Sequence, residues 1–539
     1  MGSNIFDFSI FSFDNVQKTC KLLLVIFCFV KVNWQKRIKM KIFLLFVALN
    51  IIFPLLAVEE KSTPVAASQP VKFEDVTIQT GLKNAGRCAT WVDLDHDGWV
   101  DLIADGRIWR NNKGKSFIDV TAASGIADHA KSPCVGADFD GDGKIDLYFV
   151  KGQGALYLNQ GNFHFVPGKA AANPYPQYPM AAAAADLNGD GYPDLYIANY
   201  EIWKEQRNFP DVIMQNNHGA LEVKTIASPS QTTPGRGVTC CDFNNDGKID
   251  LYISNYRLMP NFLLINYGNW KLLNEAGKYG CAGSQRKTFM IKNQQGLVYG
   301  SSGHTIGSVW ADFDNDTYFD LFVGNFSHPP DWQDRPQFFK NSGPAGQYRF
   351  VDKSAVAAIP WQESYASPAA ADVDNDGKID LFFTTVYKGD SSRLFRNAGD
   401  WKFQNITDSS GIYSANTYQA AFADFDNDGK IDLITGGRLF HNLTDGGDWL
   451  KVKLHGKAPD TMGIGTKVVV EAGDKKIIRQ VEAGTGSGNQ NDSTLHFGLG
   501  KVGNTQLKVT VIHLDGTRQE ISTPPNRQIE IPPTDSCLN

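Results

Sequence analysis

Short alternations of apolar and polar residues, separated by glycine turns, run from about residue 71 to 521 and predict β strands rather than helices. One cycle shows the plan. Residues 134–139 are small and apolar, 147–150 are apolar throughout, 155–159 place Leu156 and Leu158 on one face, and 163–166 follow the Gly161, Asn162 turn. Four such strands make a sheet that can bury a face against a neighbour on each side. The alternation at 71–77, with Val71, Phe73 and Val76 apolar, is echoed at 116–121 and 402–407, where it closes a cycle ahead of Gly125 and Gly411. At 71–77 no cycle precedes it, and the last cycle, reaching Asn442, lacks a fourth strand. The simplest arrangement has the N-terminal strand complete the last sheet and cover its edge.

Between the first and second strands of each cycle lies a loop of one pattern, seen in full as Asp424, Phe425, Asp426, Asn427, Asp428, Gly429, Lys430, Ile431, Asp432. The other copies start at Asp93, Asp138, Asp186, Asp242, Asp312 and Asp372, with spacings along the chain of 45, 48, 56, 70, 60 and 52 residues. That period is too long for a leucine-rich solenoid and suits four-stranded blades with insertions. The fold class expected is all-β: a seven-bladed β-propeller with calcium-binding loops, followed by a small β-sandwich-like domain.

Carboxylates two, two and four residues apart around a glycine make an oxygen cage for a hard cation. The ligands expected at positions one, three, five and nine are Asp93, Asp95, Asp97 and Asp101; Asp138, Asp140, Asp142 and Asp146; Asp186, Asn188, Asp190 and Asp194; Asp242, Asn244, Asp246 and Asp250. The later loops supply Asp312, Asp314, Asp316 and Asp320; Asp372, Asp374, Asp376 and Asp380; Asp424, Asp426, Asp428 and Asp432. Position seven offers a backbone carbonyl from Trp99, Lys144, Tyr192, Lys248, Tyr318, Lys378 or Lys430. The cofactor expected is Ca2+ at up to seven sites, since a flexible carboxylate ring lacks the small octahedral geometry of Mg2+. Thr317 stands where the other loops have glycine. A β-branched residue resists positive φ, so this fifth site is expected to bind weakest, use a modified turn or stay empty.

Such a cage leaves little room for activated water, and no paired-histidine or Gly-x-Ser-x-Gly motif is present. His96, at the fourth position of its loop, reads as a surface residue. Nearly all the carboxylates that cluster are committed to metal, so no catalytic residue is assigned. A carbohydrate-active enzyme with an acid pair near the propeller axis is the alternative.

Residues 1–57 read as an extension and secretory signal: a start at Met40 would lead straight into an apolar run ending near Ala57, with cleavage near Ala66 or Ala67 the competing site and a retained anchor the competing reading. Beyond residue 57 stand 45 basic and 56 acidic residues, of which 26 are loop aspartates, so the acidity is largely ligand charge. No basic stripe points to nucleic acid. An exported chain permits disulfides, pairing Cys88 with Cys134 and Cys281 with Cys240 or Cys241; buried free thiols are the equal alternative, and Cys537 completes the set. Sequons stand at Asn325, Asn405, Asn442 and Asn491, and Lys388, Gly389, Asp390 resembles a short adhesion motif. Insertions at 199–208, 272–305 and 326–337 carry Trp203 and Trp332, which cap a sheet edge or meet a sugar or protein.

From Asp448 the period changes: strands are expected at 449–454, 465–470, 477–481, 495–499, 507–514 and 518–521, with a proline-marked tail lacking regular structure. The boundaries are a linker at 58–70, the propeller at 71–447, the terminal β domain at 448–530 and a tail at 531–539. The seven loops resemble the FG-GAP or VCBS repeats of integrin alpha-subunit propellers and many bacterial exported proteins. Residues 463–468, 481–487 and 495–500 resemble the ASPIC/UnbV domain known from the cartilage acidic protein group. Two stretches depart from that domain, Gly488 to Gln490 and His513 to Gly516, which puts any ligand shared through them in doubt. The resemblance implies an exported chain, secreted, periplasmic or on the cell surface, that binds a protein or glycan, without a membrane span in the mature chain.

Overall fold

The computed structural model describes residues 70–83, 85–127, 129, 131–205, 207–224, 232–283, 289–293, 296–300, 303–328 and 333–533. The leader, Trp332 and Cys537 lie outside them. The described chain is all-β, built of seven blade-like antiparallel sheets and a further pair of sheets. Sheet one is Ala89–Val92, Asp101–Ala104, Arg107–Asn111 and Phe117–Asp119 in that order, and sheets two, four, five and six repeat it. Sheet three gains a fifth, parallel strand, Lys169–Ala170. Sheet seven contains Ala420–Ala423, Asp432–Thr435 and Arg438–Asn442, and its outer strand is Phe73–Asp75, with Phe73 opposite Asn442. The orphan alternation at the N-terminus thus completes the last sheet.

Inner strands lie beside one another in chain order, and Ala89–Val92 also lies beside Ala420–Ala423. Their side chains are small where they crowd: Ala181 to Ala185 are all buried in sheet three, and Gly237 and Gly307 face neighbouring backbone or Ser367 so closely that a Cβ would collide. Between sheets, apolar side chains form successive clusters, such as Trp91, Leu102, Trp109 and Phe117 against Ala421, Phe425 and Leu439. Helix among the described residues is limited to single turns such as Thr121–Ser124 and Thr407–Ser410, each stopped by a left-handed glycine.

The terminal region packs a three-stranded sheet, Leu495–Gly500, Asp448–Leu454 and Arg527–Ile531, with a four-stranded one around Val452, Val468, Val470, Phe497 and Val509. The supposed tail is therefore corrected: Arg527–Ile531 pairs in parallel with Asp448–Leu454. Its alternation turns Ile529 and Ile531 toward the core, and Pro524 and Pro525 only interrupt the chain ahead of it. Within the insertion at 272–305, Phe289–Asn293 and Gly296–Gly300 pair as an added hairpin.

From this region residues 483–492 reach among the inner strands. Ala483 O accepts from Ala184 N (2.8 Å) and Gly486 O from Val238 N (3.0 Å). Gln490 binds Gly136 through both side-chain atoms (3.0 Å each) and Ala89 and Trp91 through its backbone. Asn491 Oδ1 accepts from Phe422 N at 2.9 Å. The stretch Gly488 to Gln490, where this chain departs from its resemblance, thus serves to bond the terminal region to the inner strands.

The disulfides expected are also corrected. Cys88, Cys134, Cys240, Cys241 and Cys281 are free and buried. Cys240 and Cys241 alternate along one strand, so they enter different cores: Cys240 joins the cluster holding Cys134, and Cys241 the one holding Cys281. Each packs as a small apolar group.

Candidate metal centres

Every aspartate loop is a tight crossing from an inner strand to the second strand, and its own backbone amides set the carboxylates. In the seventh loop Asp424 Oδ1 accepts from Asp428 N (3.0 Å) and Oδ2 from Gly429 N (2.9 Å), while Asp428 Oδ1 accepts from Lys430 N (2.9 Å). The first loop repeats this with Asp93, Asp97, Gly98 and Trp99. The ninth position is fixed from two directions: Asp101 Oδ2 accepts from Leu94 N (3.0 Å) and Oδ1 from Asn111 N (2.8 Å). Five other loops do the same, and in the fourth Asp250 Oδ2 is buried without a partner.

Loop oxygens converge. Those of Asp93, Asp95 and Asp101 lie within 4.8 Å of one another, as do groups from Asp138, Asp140 and Asp146, from Asp312, Asp314 and Asp316, and from Asp372, Asp374 and Asp380. In the seventh loop the group is Asp426, Asp428 and His441. Asp314 Oδ1, Asp374 Oδ1 and Asp426 Oδ1, the third position of three loops, are buried without a hydrogen-bond partner. Inward, unpartnered carboxylate oxygens are what a hard cation would satisfy, so the donor set fits one. Burial pushes Asp101 and Asp146 up to about 8 and Asp194 to about 7, and neighbouring loop carboxylates push the same way. A nearby divalent charge reverses that pressure.

Sequence reasoning missed three sets of residues around these loops. The first is seven asparagines at the ends of the third strands, last in six of them and next to last, as Asn216, in sheet three. Asn111 Nδ2 donates to Val100 O in its own loop and to Phe425 O in the loop of sheet seven. Asn159 reaches Leu94 O, Asn216 Phe139 O, Asn266 Leu187 O, Asn341 Phe243 O, Asn397 Phe313 O and Asn442 Val373 O, at 2.8 to 3.1 Å. Each sheet is thereby tied to the loop of the one before it. The signal was the asparagine recurring at each third-strand end.

The second set is basic residues just ahead of four of those asparagines. Arg396 holds Asp374 (2.5 Å) and Asp376 (2.9 Å), Lys340 holds Asp314 and Asp316, Arg110 lies 3.4 Å from Asp95, and His441 lies 3.0 Å from Asp426. The Asp426 and Asp428 carboxylates beside it raise His441 to about 10. Loops two, three and four have Leu158, Gln215 and Ile265 there instead.

The third set comes from the terminal region, which lies over the loops. Lys451 Nζ is 2.9 Å from Asp424 Oδ2, Lys453 Nζ 2.7 Å from Asp93 Oδ2, Lys467 Nζ 2.9 Å from Asp242 Oδ2, and Thr461 Oγ1 2.5 Å from Asp138 Oδ2. Each meets the Oδ2 of a first-position aspartate, the oxygen that also accepts from the loop's glycine amide.

Several expectations change here. Thr317 does adopt the left-handed turn, at φ 71°, and its amide donates to Asp312 Oδ2 at 2.9 Å as the glycines do, so the fifth loop keeps the common geometry. His96 is exposed, but Asn315, Asn375 and Asn427 at the same loop position donate to Gly377, Gly429 and Gly98 of the next loop, each at 3.0 Å. Of the sequons, Asn325 and Asn442 are fully buried, their amides used internally, and Asn491 is bonded to Glu482 and Phe422; Asn405 is exposed. Asp390 of the adhesion-like tripeptide is tied to Ser364 and Thr385. Trp203 is 57% exposed, with Arg257 stacked 3.3 Å over its ring.

Among the described residues no helix is long and apolar enough to cross a membrane. The FG-GAP-like repeat model matches residues 93–149, 138–197, 312–383 and 372–435, and the ASPIC and UnbV model matches 456–536. Cartilage acidic protein 1 of Mus musculus is 24% identical over 526 residues, covering 85% of this chain and 75% of its own length. The Xenopus tropicalis protein of the same name is 26% identical over 509 residues, covering 84% and 74%. Among solved structures, Saccharomyces cerevisiae Sqt1 aligns with a TM-score of 0.39 at 9% identity, covering 70% of this chain and all of its own.

Proposed function

We propose that this chain, which carries FG-GAP-like repeats and a C-terminal ASPIC and UnbV domain and is homologous to the cartilage acidic protein 1 family, is an exported binding module whose scaffold is held by calcium. Its seven sheets are the blades of one closed propeller at 71–447, and 448–530 is a terminal domain seated on the loop end. The closure is supported by the strand at Phe73–Asp75 completing the last sheet and by Asn111 bonding Phe425 across the first and last sheets. The carrying observation for the metal is the set of converging loop oxygens, three of them buried and unpartnered at Asp314, Asp374 and Asp426.

Calcium would supply the positive charge that lets buried carboxylates stay ionised side by side. Asp93, Asp138, Asp186, Asp242, Asp312, Asp372 and Asp424, with their partners at positions three, five and nine, would hold it, together with the position-seven carbonyl. The residues themselves do the rest: the asparagine ties carry the set of each loop to the next sheet, and the rigid ring presents its connections to a protein or glycan outside the cell. The open cavity at the far end has one carboxylate, Asp105, where a glycosidase requires two.

Thermal unfolding of the full chain, titrated with calcium after chelation, tests this. Calcium is expected to raise Tm by roughly 10 °C or more over the chelated protein, with magnesium well behind. A Tm indifferent to chelator and to calcium would overturn the reading.

A further inference from the structure

At the end opposite the aspartate loops, where the inner strands begin, lies a cavity of about 500 Å3, within the range that takes a small ligand. Its wall carries Arg87, Lys131, Lys151 and Arg236 against the single carboxylate Asp105. Among the described residues no carboxylate oxygen lies within 4.0 Å of any of these four cations. The clustering is notable in a chain with more acidic than basic residues. Like charges around one concavity repel one another and focus a positive potential into it, which an anion would relieve.

Two of the cations are held in place by rings. Arg87 lies 4.7 Å over Tyr418, and Arg236 lies 4.7 Å from Tyr200 and 5.2 Å from Tyr256. Arg236 Nε is buried and has no hydrogen-bond partner. Lys131 and Lys151 stand exposed on turns at the same mouth. Cys88, also in the wall, has its thiol pushed up to about 12 by burial, so it offers no thiolate for covalent capture.

The surroundings narrow the ligand class. Connections at this end, between second and third strands or ahead of an inner strand, bear the exposed aromatics Trp361, Tyr387 and Tyr413. Flat exposed rings suit the apolar faces of sugars, and forked or flexible cations suit carboxylate or sulfate. We infer that this cavity binds an acidic sugar, the uronic or sulfated residue of a glycan, with Arg87, Lys131, Lys151 and Arg236 on its anionic groups. The inference rests on the binding-module reading and names its ligand class.

The test is calorimetric titration of the calcium-loaded full-length protein with a hyaluronan tetrasaccharide (carboxylate only), a heparin tetrasaccharide (sulfated), neutral chitotetraose, an oligoglutamate peptide and inorganic sulfate. At least one acidic sugar is expected to bind more tightly than chitotetraose, the peptide and free sulfate, and to weaken as salt rises. Lys131→Gln with Lys151→Gln is expected to weaken it about tenfold or more with Tm unchanged. If the double variant melts early, the exposed single variant Lys151→Gln decides by the same measure. Acidic sugars that bind no better than chitotetraose, a peptide that binds tighter, or variants that bind like the parent would overturn the inference. A parent that gains stability from calcium yet binds no acidic sugar would overturn this inference alone and leave the calcium reading standing.

Discussion

The inner strands end in carboxylates and begin among cations, and the protein treats the two charges differently. At the loop end, buried aspartates are met from within: by backbone amides, by Arg396 and Lys340 of their own sheets, and by Lys451, Lys453 and Lys467 of the terminal region. At the other end, Arg87, Lys131, Lys151 and Arg236 share one nearby carboxylate, and the two arginines are steadied by tyrosine rings instead. Charge matched inside the molecule belongs to the scaffold. Charge left unmatched at a mouth is available to something that arrives.

The comparison breaks first at Lys451. Its ammonium and Asp424 are 3% and 1% exposed, so Lys451→Met strands a buried carboxylate and should cost about 3–5 kcal/mol in urea unfolding under chelator. With calcium present the loss should shrink, since the metal supplies the missing charge. Equal losses in both conditions would mean that the lysine and the loop cation are not linked.

A smaller effect is expected at the asparagine ties. Asn397→Ala removes two buried bonds, to Phe313 O and Ile379 O, and leaves both carbonyls short of a donor. About 2–4 kcal/mol should be lost, calcium or not, by the same urea measurement. A loss under 1 kcal/mol would show that the sheets do not depend on this tie.

The smallest effect belongs to the open end and to pH. His304 is buried against Tyr256, and burial, with help from His328 and Arg257, lowers it from 6.5 to about 4. The unfolded chain takes up a proton that the folded one refuses, so stability is full above about pH 6.5 and falls as pH drops toward 4. By pH 5 the loss from this group is about 2 kcal/mol, and His304→Gln should remove that part of the slope in denaturant midpoints measured across this range. An unchanged slope would place the acid sensitivity elsewhere.

Much of this was legible in order along the chain. Strand alternation named the class, the loop pattern named the converging aspartates, and the unmatched alternation near Phe73 found its sheet. Thr317 misled because the turn's hydrogen bond to Asp312 outweighs the reluctance of a β-branched residue to take positive φ. The cysteines misled because chain proximity of Cys240 to Cys241 says nothing of which core each one enters. The last strand was hidden behind prolines whose effect stops at the residues they occupy.

What the sequence determined by itself was everything repeated within about ten residues: the aspartate offsets, the glycine bends, the strand period and the third-strand asparagines as letters. Only the tertiary structure decided what those asparagines hold, which lysine meets which loop, that residues 483–492 run among the inner strands, and that four separate cations share one mouth. Asn111 finds Phe425 across 314 positions and Lys453 finds Asp93 across 360. Local spacing is dictated by backbone geometry and can be read residue by residue, whereas contacts over such distances exist only once the sheets have packed and brought their partners together.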